Sequence, residues 1–270
     1  MLQRSWNFVE IHSKVKKLRN FISDVGKNGV VVMFSGGVDS ATLAKLCKDV
    51  VDDVFAVTVV SEVIPKSDVE DAKSIAEEIG VDHHILEVKL LNDENFVRNN
   101  KNRCYFCKKK MIRKVKEFAV DVGVSCIVEG TNVSELNEDR PGYRAVVEEG
   151  VYSPWVEVGA TKDEIRQIAK MLGLSFHDKP PTTCLATRIP FGSVITHERL
   201  KRIEKAESIL KNLNFKVVRV RDYGDVAIVE VGREERAKFF DIELMDVVSR
   251  MLKDLGYRYV TLNLEGYGRF

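Results

Sequence analysis

The chain of 270 residues contains no apolar run that approaches the roughly 20 residues needed to cross a bilayer. Residues 1–17 mix charged residues with single apolar ones, so they lack the continuous apolar core of a secretory signal. These absences predict a cytoplasmic protein without a membrane partner. The sequence also has no internal repeat and no low-complexity segment, which favours an ordinary globular chain.

The chain has almost no excess of charge of either sign. Its 42 Lys and Arg residues against 41 Asp and Glu residues give a formal net charge of +1. Such a balance is not typical of proteins that wrap nucleic acid, and no nucleic-acid partner is expected. A local basic pocket for a small phosphorylated substrate is still compatible with these totals.

Short apolar runs alternate with helical patterns over the first two thirds of the sequence. The runs predict strands at 29–34, 54–60, 85–88 and 124–129, and the helical patterns predict helices at 38–49, 68–80, 108–122 and 161–172. This order predicts an α/β fold, a Rossmann-like parallel sheet with helices on both faces. The polar stretch 131–150, which contains a proline and two glycines, is expected to be mainly loop.

The pattern changes after residue 196. A helix at 197–213 precedes two strands at 216–221 and 226–231, which are expected to pair antiparallel through a turn at 223–225. A helix at 244–255 and a strand at 259–264 complete a small α+β domain. The prediction is therefore a nucleotide-type domain at 1–195 and a C-terminal domain at 196–270 for substrate binding or oligomerisation. The proline-rich stretch 179–192 is expected to be an ordered loop over the site.

A glycine-rich segment follows the first predicted strand and opens the first predicted helix. It consists of Ser35, Gly36, Gly37, Val38, Asp39 and Ser40. Two glycines allow the backbone to approach a phosphate, and the start of the helix offers unpaired N–H groups. Asp39 is suited to hold a Mg²⁺ ion that bridges phosphates. Other phosphate-loop patterns, such as G-x-x-x-x-G-K-[ST], do not occur here.

Three cysteines form a second candidate site. Cys104 and Cys107 make a C-x-x-C pair, and Cys184 lies in a separate motif far along the chain. One C-x-x-C pair is compatible with redox chemistry or with half of a zinc site, for which His177 is the nearest fourth ligand. Three thiolates also suit a 4Fe–4S cluster with one exposed iron that carries sulfide. Two further cysteines, Cys47 and Cys126, fall in apolar patterns that indicate packing.

The six residues at 35–40 resemble the PP-loop of the ATP pyrophosphatase superfamily, whose fold is called adenine nucleotide alpha hydrolase-like. Over nearly its whole length the chain resembles the LarE family, sulfurtransferases that build the nickel-pincer cofactor of lactate racemase. The motifs are SGGVDS at 35–40, NRCYFCK at 102–108, EGTN at 129–132, DRPG at 139–142, TKDEIR at 161–166, CLATRIPFG at 184–192 and the terminal LNLEGYGRF. The sequence stops directly after this last motif, so Tyr267 and Arg269 are only minor candidates.

The resemblance implies that ATP adenylates a carboxylate of pyridinium-3,5-biscarboxylic acid mononucleotide, which is then converted to a thiocarboxylate. Family members use one of two sulfur sources. In one, a cysteine matching Cys184 gives up its own sulfur and ends as dehydroalanine. In the other, cysteines matching Cys104, Cys107 and Cys184 hold a 4Fe–4S cluster. The present chain has all three and resembles the second group. Resemblance to the family as a whole also implies a homo-oligomer.

Residues for the substrate are expected in both predicted domains. Arg219 and Arg221 alternate along one strand, so both point to one face, with Glu230 opposite on the paired strand. Arginine forks suit the substrate phosphate, although a solvated strand face would show the same pattern. Arg188, in the CLATRIP motif, is a further candidate, and Gly130 at a strand end could admit the adenine or ribose.

Other functions fit parts of this pattern. A PP-loop thiolation enzyme acting on tRNA or on another acceptor would share the phosphate loop, although the balanced charge argues against tRNA. A nucleotide- or metal-binding protein without activity could keep the same fold, since fold alone does not establish function. The sequence does not identify the sulfur donor.

Overall fold

The computed structural model describes residues 2–136 and 140–267, with side chains from residue 9 onward. The helices are α1 (Leu2–Val25), α2 (Val38–Lys48), α3 (Lys66–Ile79), α4 (Glu94–Val97), α5 (Arg103–Asp121), α6 (Val133–Leu136), α7 (Pro141–Glu148), α8 (Pro154–Glu157), α9 (Lys162–Met171), α10 (His197–Asn212) and α11 (Ile242–Asp254). The strands are β1 (Val30–Met33), β2 (Val54–Val60), β3 (Asp82–Glu87), β4 (Cys126–Val128), β5 (Val218–Tyr223), β6 (Val226–Val231) and β7 (Tyr259–Leu262). Over the described ranges no helix combines the length and apolarity needed to cross a bilayer.

The first sheet has the strand order β3-β2-β1-β4, with parallel pairing throughout. Val31 packs on one face with α5 residues such as Ile112, whereas its neighbours Val30 and Val32 pack on the other face with α1 and α2. Burial on both faces explains why these strands are apolar without alternation. The predicted parallel sheet with helices on both faces is confirmed.

The chain order reverses direction at the centre of this sheet. From β1 the chain moves outward to β2 and β3, and it then returns to place β4 on the other side of β1. Ligands of open parallel sheets bind at the carboxyl ends of the strands where such a reversal occurs. The segments that follow β1 and β4 therefore meet at the expected ligand edge.

Some helices in the first part of the chain were not expected from the sequence. The stretch 131–150, expected to be mainly loop, contains α6 and α7, and Pro141 stands in the first turn of α7, where it costs no hydrogen bond. Helix α5 begins at Arg103, five residues before the predicted start at 108, so Cys104 and Cys107 are helical. The predicted capping box at Thr161 and Glu164 is present at the start of α9.

The chain divides into two compact units. The first comprises residues 1–89 and 102–182, and the second comprises 90–101 and 183–270. The segment 183–195, which the domain prediction assigned to the first domain, thus clusters with the second unit. Within the second unit, Asn99 Nδ2 donates to the carbonyl oxygens of Pro190 and Ser193 at 2.8 and 2.9 Å, which ties 90–101 to this segment.

The second unit contains a mixed sheet with the order β5-β6-β7. Strands β5 and β6 pair antiparallel, as predicted, and β7 adds to β6 in parallel. Buried side chains of β5 and β6 pack against α10 and α11, among them Val220, Val229, Leu210 and Leu252. This core confirms a small C-terminal α+β unit.

Candidate functional site

The segment 35–40 is a tight turn between β1 and α2. Gly36 has a φ of 68°, in the left-handed region that glycine adopts without strain. A Cβ atom on Gly36 would also lie 2.7 Å from Ala72 Cα of α3, so a side chain has no room there. The loop therefore depends on glycine both for its backbone angle and for its approach to α3.

The two serines of this loop hold its shape. Ser35 Oγ and Ser40 Oγ lie 3.1 Å apart, and the backbone N–H of Ser35 donates to Ser40 Oγ at 3.2 Å. Ser35 Oγ also accepts from the N–H of Gly37 at 3.3 Å. These contacts leave the start of α2 as a preformed turn at the carboxyl edge of the sheet. Helix starts of this kind bind phosphate through backbone N–H groups.

Asp39 stands in the first turn of α2 and faces a lysine far along the sequence. Its Oδ2 atom lies 2.7 Å from Lys162 Nζ, in the first turn of α9. Trp155 Nε1 donates to the Asp39 carbonyl oxygen at 3.0 Å and fixes the backbone. Asp39 Oδ1 is buried and accepts no hydrogen bond within the described part of the chain. A buried carboxylate oxygen without a donor is the kind of atom that a divalent cation would satisfy.

A second carboxylate faces Asp39. Burial raises the pKa of Glu135 above its ordinary value; the charge of Arg140 opposes this, and the negative charge of Asp39 raises the pKa further. Burial is the larger cause of the raised pKa, and the charge of Asp39 is a smaller contribution in the same direction, while Arg140 Nη1 pairs with Glu135 Oε2 at 3.1 Å. A pair of carboxylates in this position suits a hard cation such as Mg²⁺.

Another lysine reaches the loop from the stretch before Cys184. Lys179 Nζ donates to the Gly36 carbonyl oxygen at 3.1 Å and lies 2.9 Å from Asp71 Oδ2. Arg166 of α9 supports this stretch by donating to the carbonyl oxygens of His177 and Lys179 at 3.0 and 2.7 Å. The phosphate loop is therefore flanked by two ammonium groups.

The segment that follows β4 packs directly on the phosphate loop. A Cβ atom on Gly130 would lie 2.9 Å from the backbone nitrogen of Ser40 and 3.2 Å from the carbonyl carbon of Asp39. The preceding residue, Glu129, is a buried carboxylate that accepts from Ser153 Oγ at 2.6 Å and lies 3.3 Å from Lys108 Nζ. The strand end thus contacts the loop on one side and α5 on the other.

The C-x-x-C pair lies at the start of α5, in the first unit. Cys104 is exposed and Cys107 is half-buried, and their spacing of three places both on one side of the helix. A Cβ atom on Gly142 of α7 would lie in ordinary contact with this surface, 4.0 Å from Cys104 Cβ and 3.9 Å from Lys108 Cβ. The other two cysteines are buried, as predicted, and burial raises the pKa of Cys126 to about 11.

Cys184 belongs to the second unit, at the start of a short 3-10 turn over Leu185–Arg188. Arg188 is only 2% exposed. Its Nη1 donates to the Cys184 carbonyl oxygen at 3.0 Å, and its Nε and Nη2 donate to Glu207 at 2.8 and 3.0 Å. Arg188 therefore fixes the backbone beside Cys184, with its guanidinium largely engaged by protein acceptors.

The sequence-predicted thiols are divided between the two units, with Cys104 and Cys107 in the first and Cys184 in the second. Over the residues that the structure describes, no three His, Cys, Asp or Glu side chains form a group that could hold a metal ion. His177, the candidate fourth zinc ligand, has its Nδ1 atom 3.1 Å from the Leu174 carbonyl oxygen. The 4Fe–4S cluster and the zinc alternative both stay predictions.

A cavity of about 550 Å³ lies within the second unit. Arg221 Nε donates to Glu230 Oε2 at 2.9 Å, and Asn263 Nδ2 donates to Glu230 Oε1 at 3.1 Å; all three side chains line the cavity, beside apolar walls formed by Ile228 and Leu262. Arg221 Nη1 donates to the Thr187 carbonyl oxygen. Arg221 Nη2 also lies 2.8 Å from Glu230 Oε2, so each guanidinium nitrogen has one protein acceptor and only the second N–H of Nη1 and of Nη2 is left for a ligand.

Arg219 and Arg221 lie on the same face of β5, and Glu230 is directly opposite Arg219, as predicted. The Arg219 guanidinium stacks 4.6 Å from the centre of the Tyr267 ring. Arg219 is not among the residues that line the cavity. Arg269, the other minor candidate at the C-terminus, lies outside the described residues.

Sequence reasoning did not single out several side chains of these two sites. Lys162 and Asn263 lie within the TKDEIR and LNLEGYGRF motifs but were not named as site residues. Glu135 lies between the EGTN and DRPG motifs, and Lys179 is the first residue of the stretch 179–192. Each acts through contacts between residues far apart in sequence. A lysine at the first turn of a helix, as in TKDEIR, was the one available hint, because helix starts usually favour acidic residues.

The parallel sheet, its reversal point and the serine- and glycine-rich turn define a nucleotide-binding protein of the PP-loop superfamily. The family model for NAD synthase matches residues 10–188. The chain is 36% identical over 259 residues to an uncharacterized protein of Synechocystis sp., covering 95% of this chain and 96% of that protein. It is 30% identical over 165 residues to an NH(3)-dependent NAD(+) synthetase of Pyrococcus horikoshii, covering 59% and 63%.

A further relative identifies the branch of this superfamily. The chain is 33% identical over 240 residues to the pyridinium-3,5-bisthiocarboxylic acid mononucleotide synthase of Lactiplantibacillus plantarum, covering 88% of this chain and 86% of that protein. The chain therefore belongs to the LarE family of PP-loop proteins.

Proposed function

We propose that this protein is an ATP-dependent sulfurtransferase that adenylates a carboxylate of pyridinium-3,5-biscarboxylic acid mononucleotide and converts it to a thiocarboxylate. The observation that carries the proposal is the phosphate loop at the sheet reversal, with Asp39 presenting a buried oxygen that lacks a donor. The synthase from Lactiplantibacillus plantarum, whose name specifies the bisthiocarboxylic acid mononucleotide, supports the choice of substrate.

The phosphates of ATP would bind at the turn between β1 and α2. Ser35, Gly36, Gly37, Val38 and Ser40 provide backbone N–H and hydroxyl groups there. Gly130 lies against the same turn, so it would adjoin the nucleotide. ATP bound here would lie close to the end of β4. It would also lie close to Lys162 of α9 and to Lys179, the two lysines that contact the loop.

The carboxylates at this loop fit a magnesium ion. Asp39 Oδ1 is buried and lacks a donor within the described residues, so a cation would satisfy this oxygen. Glu135, which pairs with Arg140 at 3.1 Å, is a second carboxylate near the charge of Asp39. When bound, Mg²⁺ would neutralise charge on the phosphates. Lys162, which contacts Asp39 Oδ2 in the structure, adds a second positive charge beside the leaving pyrophosphate.

The first reaction step joins the substrate carboxylate to AMP. A carboxylate oxygen attacks the α-phosphorus of ATP, the bond to the β-phosphate breaks, and pyrophosphate leaves with the electron pair. The acyl carbon then carries AMP, a far better leaving group than oxide. The residues of the loop contribute by holding the phosphates and by stabilising the charge that develops on pyrophosphate.

The second step replaces AMP by sulfur, and Cys184 is the proposed catalytic thiol. In one route its thiolate attacks the acyl carbon and AMP leaves. Loss of the Cα proton then breaks the Cβ–Sγ bond, which leaves the thiocarboxylate and a dehydroalanine. The alternative is sulfide transfer from a 4Fe–4S cluster on Cys104, Cys107 and Cys184. In that route the three thiolates would hold the cluster, which would supply the sulfide.

The cavity of the second unit is the proposed site for the mononucleotide. Arg221 offers N–H groups to the substrate phosphate, with Glu230 and Asn263 fixing its orientation. Arg188 lines the same cavity and adjoins Cys184, so its proposed role is to hold the thiol beside the substrate. Arg219 would contribute positive charge from the same strand face. Assembly into a homo-oligomer stays a prediction.

The experiment that tests the proposal uses the full-length protein with ATP, Mg²⁺ and one candidate acceptor at a time. We expect acceptor-dependent release of pyrophosphate with the biscarboxylic acid mononucleotide and none with bulk tRNA. Release that depends on tRNA instead would favour the tRNA-thiolation alternative. Tight tRNA binding that weakens steeply with salt would point in the same direction.

A further inference from the structure

The buried carboxylate of Glu129 takes no part in the proposed reaction steps. It lies between the phosphate loop and the C-x-x-C turn of α5, both in the first unit. It is 3% exposed, at the carboxyl end of β4. Its oxygens accept from Ser153 Oγ at 2.6 Å and from the N–H and Oγ1 of Thr131 at 3.0 and 2.8 Å. A carboxylate this deeply buried persists as an ion only with such donors and a nearby cation.

The cation is Lys108 of α5, whose Nζ lies 3.3 Å from Glu129 Oε2. Lys108 directly follows Cys107, and it lies four residues after Cys104, so it shares the helix face of Cys104. Gly142 of α7 packs over this same face, in contact range of Cys104 and of Lys108. The ion pair thus connects the end of β4 to the turn of helix that presents both thiols.

The other side of Glu129 connects to the phosphate loop. Gly130, the next residue, packs so closely on the start of α2 that a Cβ atom would approach Ser40 N to 2.9 Å. Any shift of the loop must therefore be shared by Gly130 and its neighbour. A continuous set of contacts runs from Ser40 through Gly130 and Glu129 to Lys108 and the C-x-x-C turn.

We propose that Glu129 is a positioning residue that, through Lys108, fixes the C-x-x-C turn of α5 relative to the phosphate loop. Binding of nucleotide at the phosphate loop then changes the reactivity of the Cys104 thiol. The purpose of this link rests on the proposed function, because sulfur transfer requires thiols held in register with the adenylated substrate. A purely stabilising ion pair would leave Cys104 insensitive to nucleotide.

The test measures the alkylation rate of Cys104 by iodoacetamide, resolved by peptide mass spectrometry, in full-length protein treated with a chelator and reductant. The rate is compared without nucleotide and with α,β-methylene-ATP and Mg²⁺, which bind without cleavage. For the unmodified chain we expect a change of about fivefold or more, the lower end of ordinary coupling between sites.

Glu129→Gln keeps the size of the side chain and one acceptor oxygen, but it replaces the other oxygen with an NH2 donor and removes the charge that holds Lys108. We expect this variant to bind the analogue while the nucleotide effect on Cys104 disappears. Lys108→Met should lose the effect in the same way, and Lys108→Arg should retain it. The matched control is Lys116→Met, which breaks an ion pair of 2.7 Å to Glu149 elsewhere on α5 and should keep the full effect.

The outcomes separate the two claims. Persistence of the nucleotide effect in folded Glu129→Gln or Lys108→Met would overturn the positioning role alone. The same holds if the unmodified chain binds the analogue but its Cys104 rate does not change. If the unmodified chain fails to bind the analogue at all, the proposed function falls, and this inference falls with it.

Discussion

The contact between Gly130 and the phosphate loop gives the most quantitative prediction. In Gly130→Ala, the new methyl group would lie 2.9 Å from Ser40 N, 3.1 Å from Ser40 Cα and 3.2 Å from the Asp39 carbonyl carbon. All three are backbone atoms, which cannot rotate away as a flexible side chain could. Gly130 is not in the left-handed region, so the effect is one of space alone.

Overpacking by one methyl group typically costs about 1–3 kcal/mol. Relief requires the end of β4 and the start of α2 to separate, which moves the N–H groups that would bind phosphate. If this cost falls on the nucleotide-binding geometry, the Kd for ATP rises about 5- to 150-fold. Isothermal titration with α,β-methylene-ATP and Mg²⁺ measures the change, and circular dichroism confirms that the variant is folded.

The matched control is Gly142→Ala. A Cβ atom there has its nearest neighbour at 3.6 Å, an ordinary contact, and Gly142 also lies outside the left-handed region. The same substitution should therefore leave the Kd for the analogue unchanged. A folded Gly130→Ala protein with the affinity of the unmodified chain would refute the reasoning.

Three further predictions concern Asp39, Cys184 and Glu129. Asp39→Asn should lower acceptor-dependent pyrophosphate release about 100-fold or more, the scale for loss of one electrostatic stabiliser; near-normal release would contradict the magnesium role. Cys184→Ala should keep pyrophosphate release but form no thiocarboxylate, and product formation by this variant would exclude Cys184 as the catalytic thiol. Burial alone would raise the pKa of Glu129, but Lys108 and the hydrogen bonds from Ser153 and Thr131 hold it below its ordinary value. Its ionised form thus stabilises the fold above the unfolded-state pKa of about 4.3, and this contribution is lost as pH falls through the lower folded value. Melting curves in acid should therefore be less dependent on pH for Glu129→Gln, and an identical dependence would contradict the lowered pKa.

The parallel sheet could be predicted from local sequence because its signals are local. Runs such as 29–34 and 54–60 are apolar on both faces, as expected for buried parallel strands. The glycines and serines of the loop at 35–40 indicate a tight turn. Both patterns depend only on residues that are neighbours in the chain. The same is true of the capping box at Thr161 and Glu164.

The missed helices show where local reasoning fails. Helix α7 begins with Pro141 and Gly142, residues that were interpreted as loop signals, although proline is well suited to the first turn of a helix. Helix α1 buries Ile11, Leu18 and Ile22, a sparse set with too many polar residues between them to stand out. In both cases packing against neighbouring helices, α5 for α7 and α2, α8 and α9 for α1, decides the structure rather than propensity.

The candidate site was predictable only in its motifs. Lys162 and Asp39 are 123 residues apart, and Glu129 and Lys108 are 21 apart, so no periodic pattern links them. Arg188, which stays a predicted substrate ligand, lines the cavity and also donates to Glu207 and to the turn at Cys184, contacts that no local pattern indicates. Such pairings arise from tertiary packing, which brings distant segments to one edge of the sheet.

The measurement that tests the central claim most directly is mass spectrometry of the substrate after reaction. Protein purified without oxygen is incubated with ATP, Mg²⁺ and pyridinium-3,5-biscarboxylic acid mononucleotide, and both the small molecule and the Cys184 peptide are analysed. The account predicts a mononucleotide in which sulfur replaces a carboxylate oxygen, with AMP and pyrophosphate released. A dehydroalanine at Cys184 would identify that residue as the sulfur source, whereas an intact Cys184 with four irons per chain would identify the cluster route. An unchanged mononucleotide in the presence of bound ATP would contradict the account.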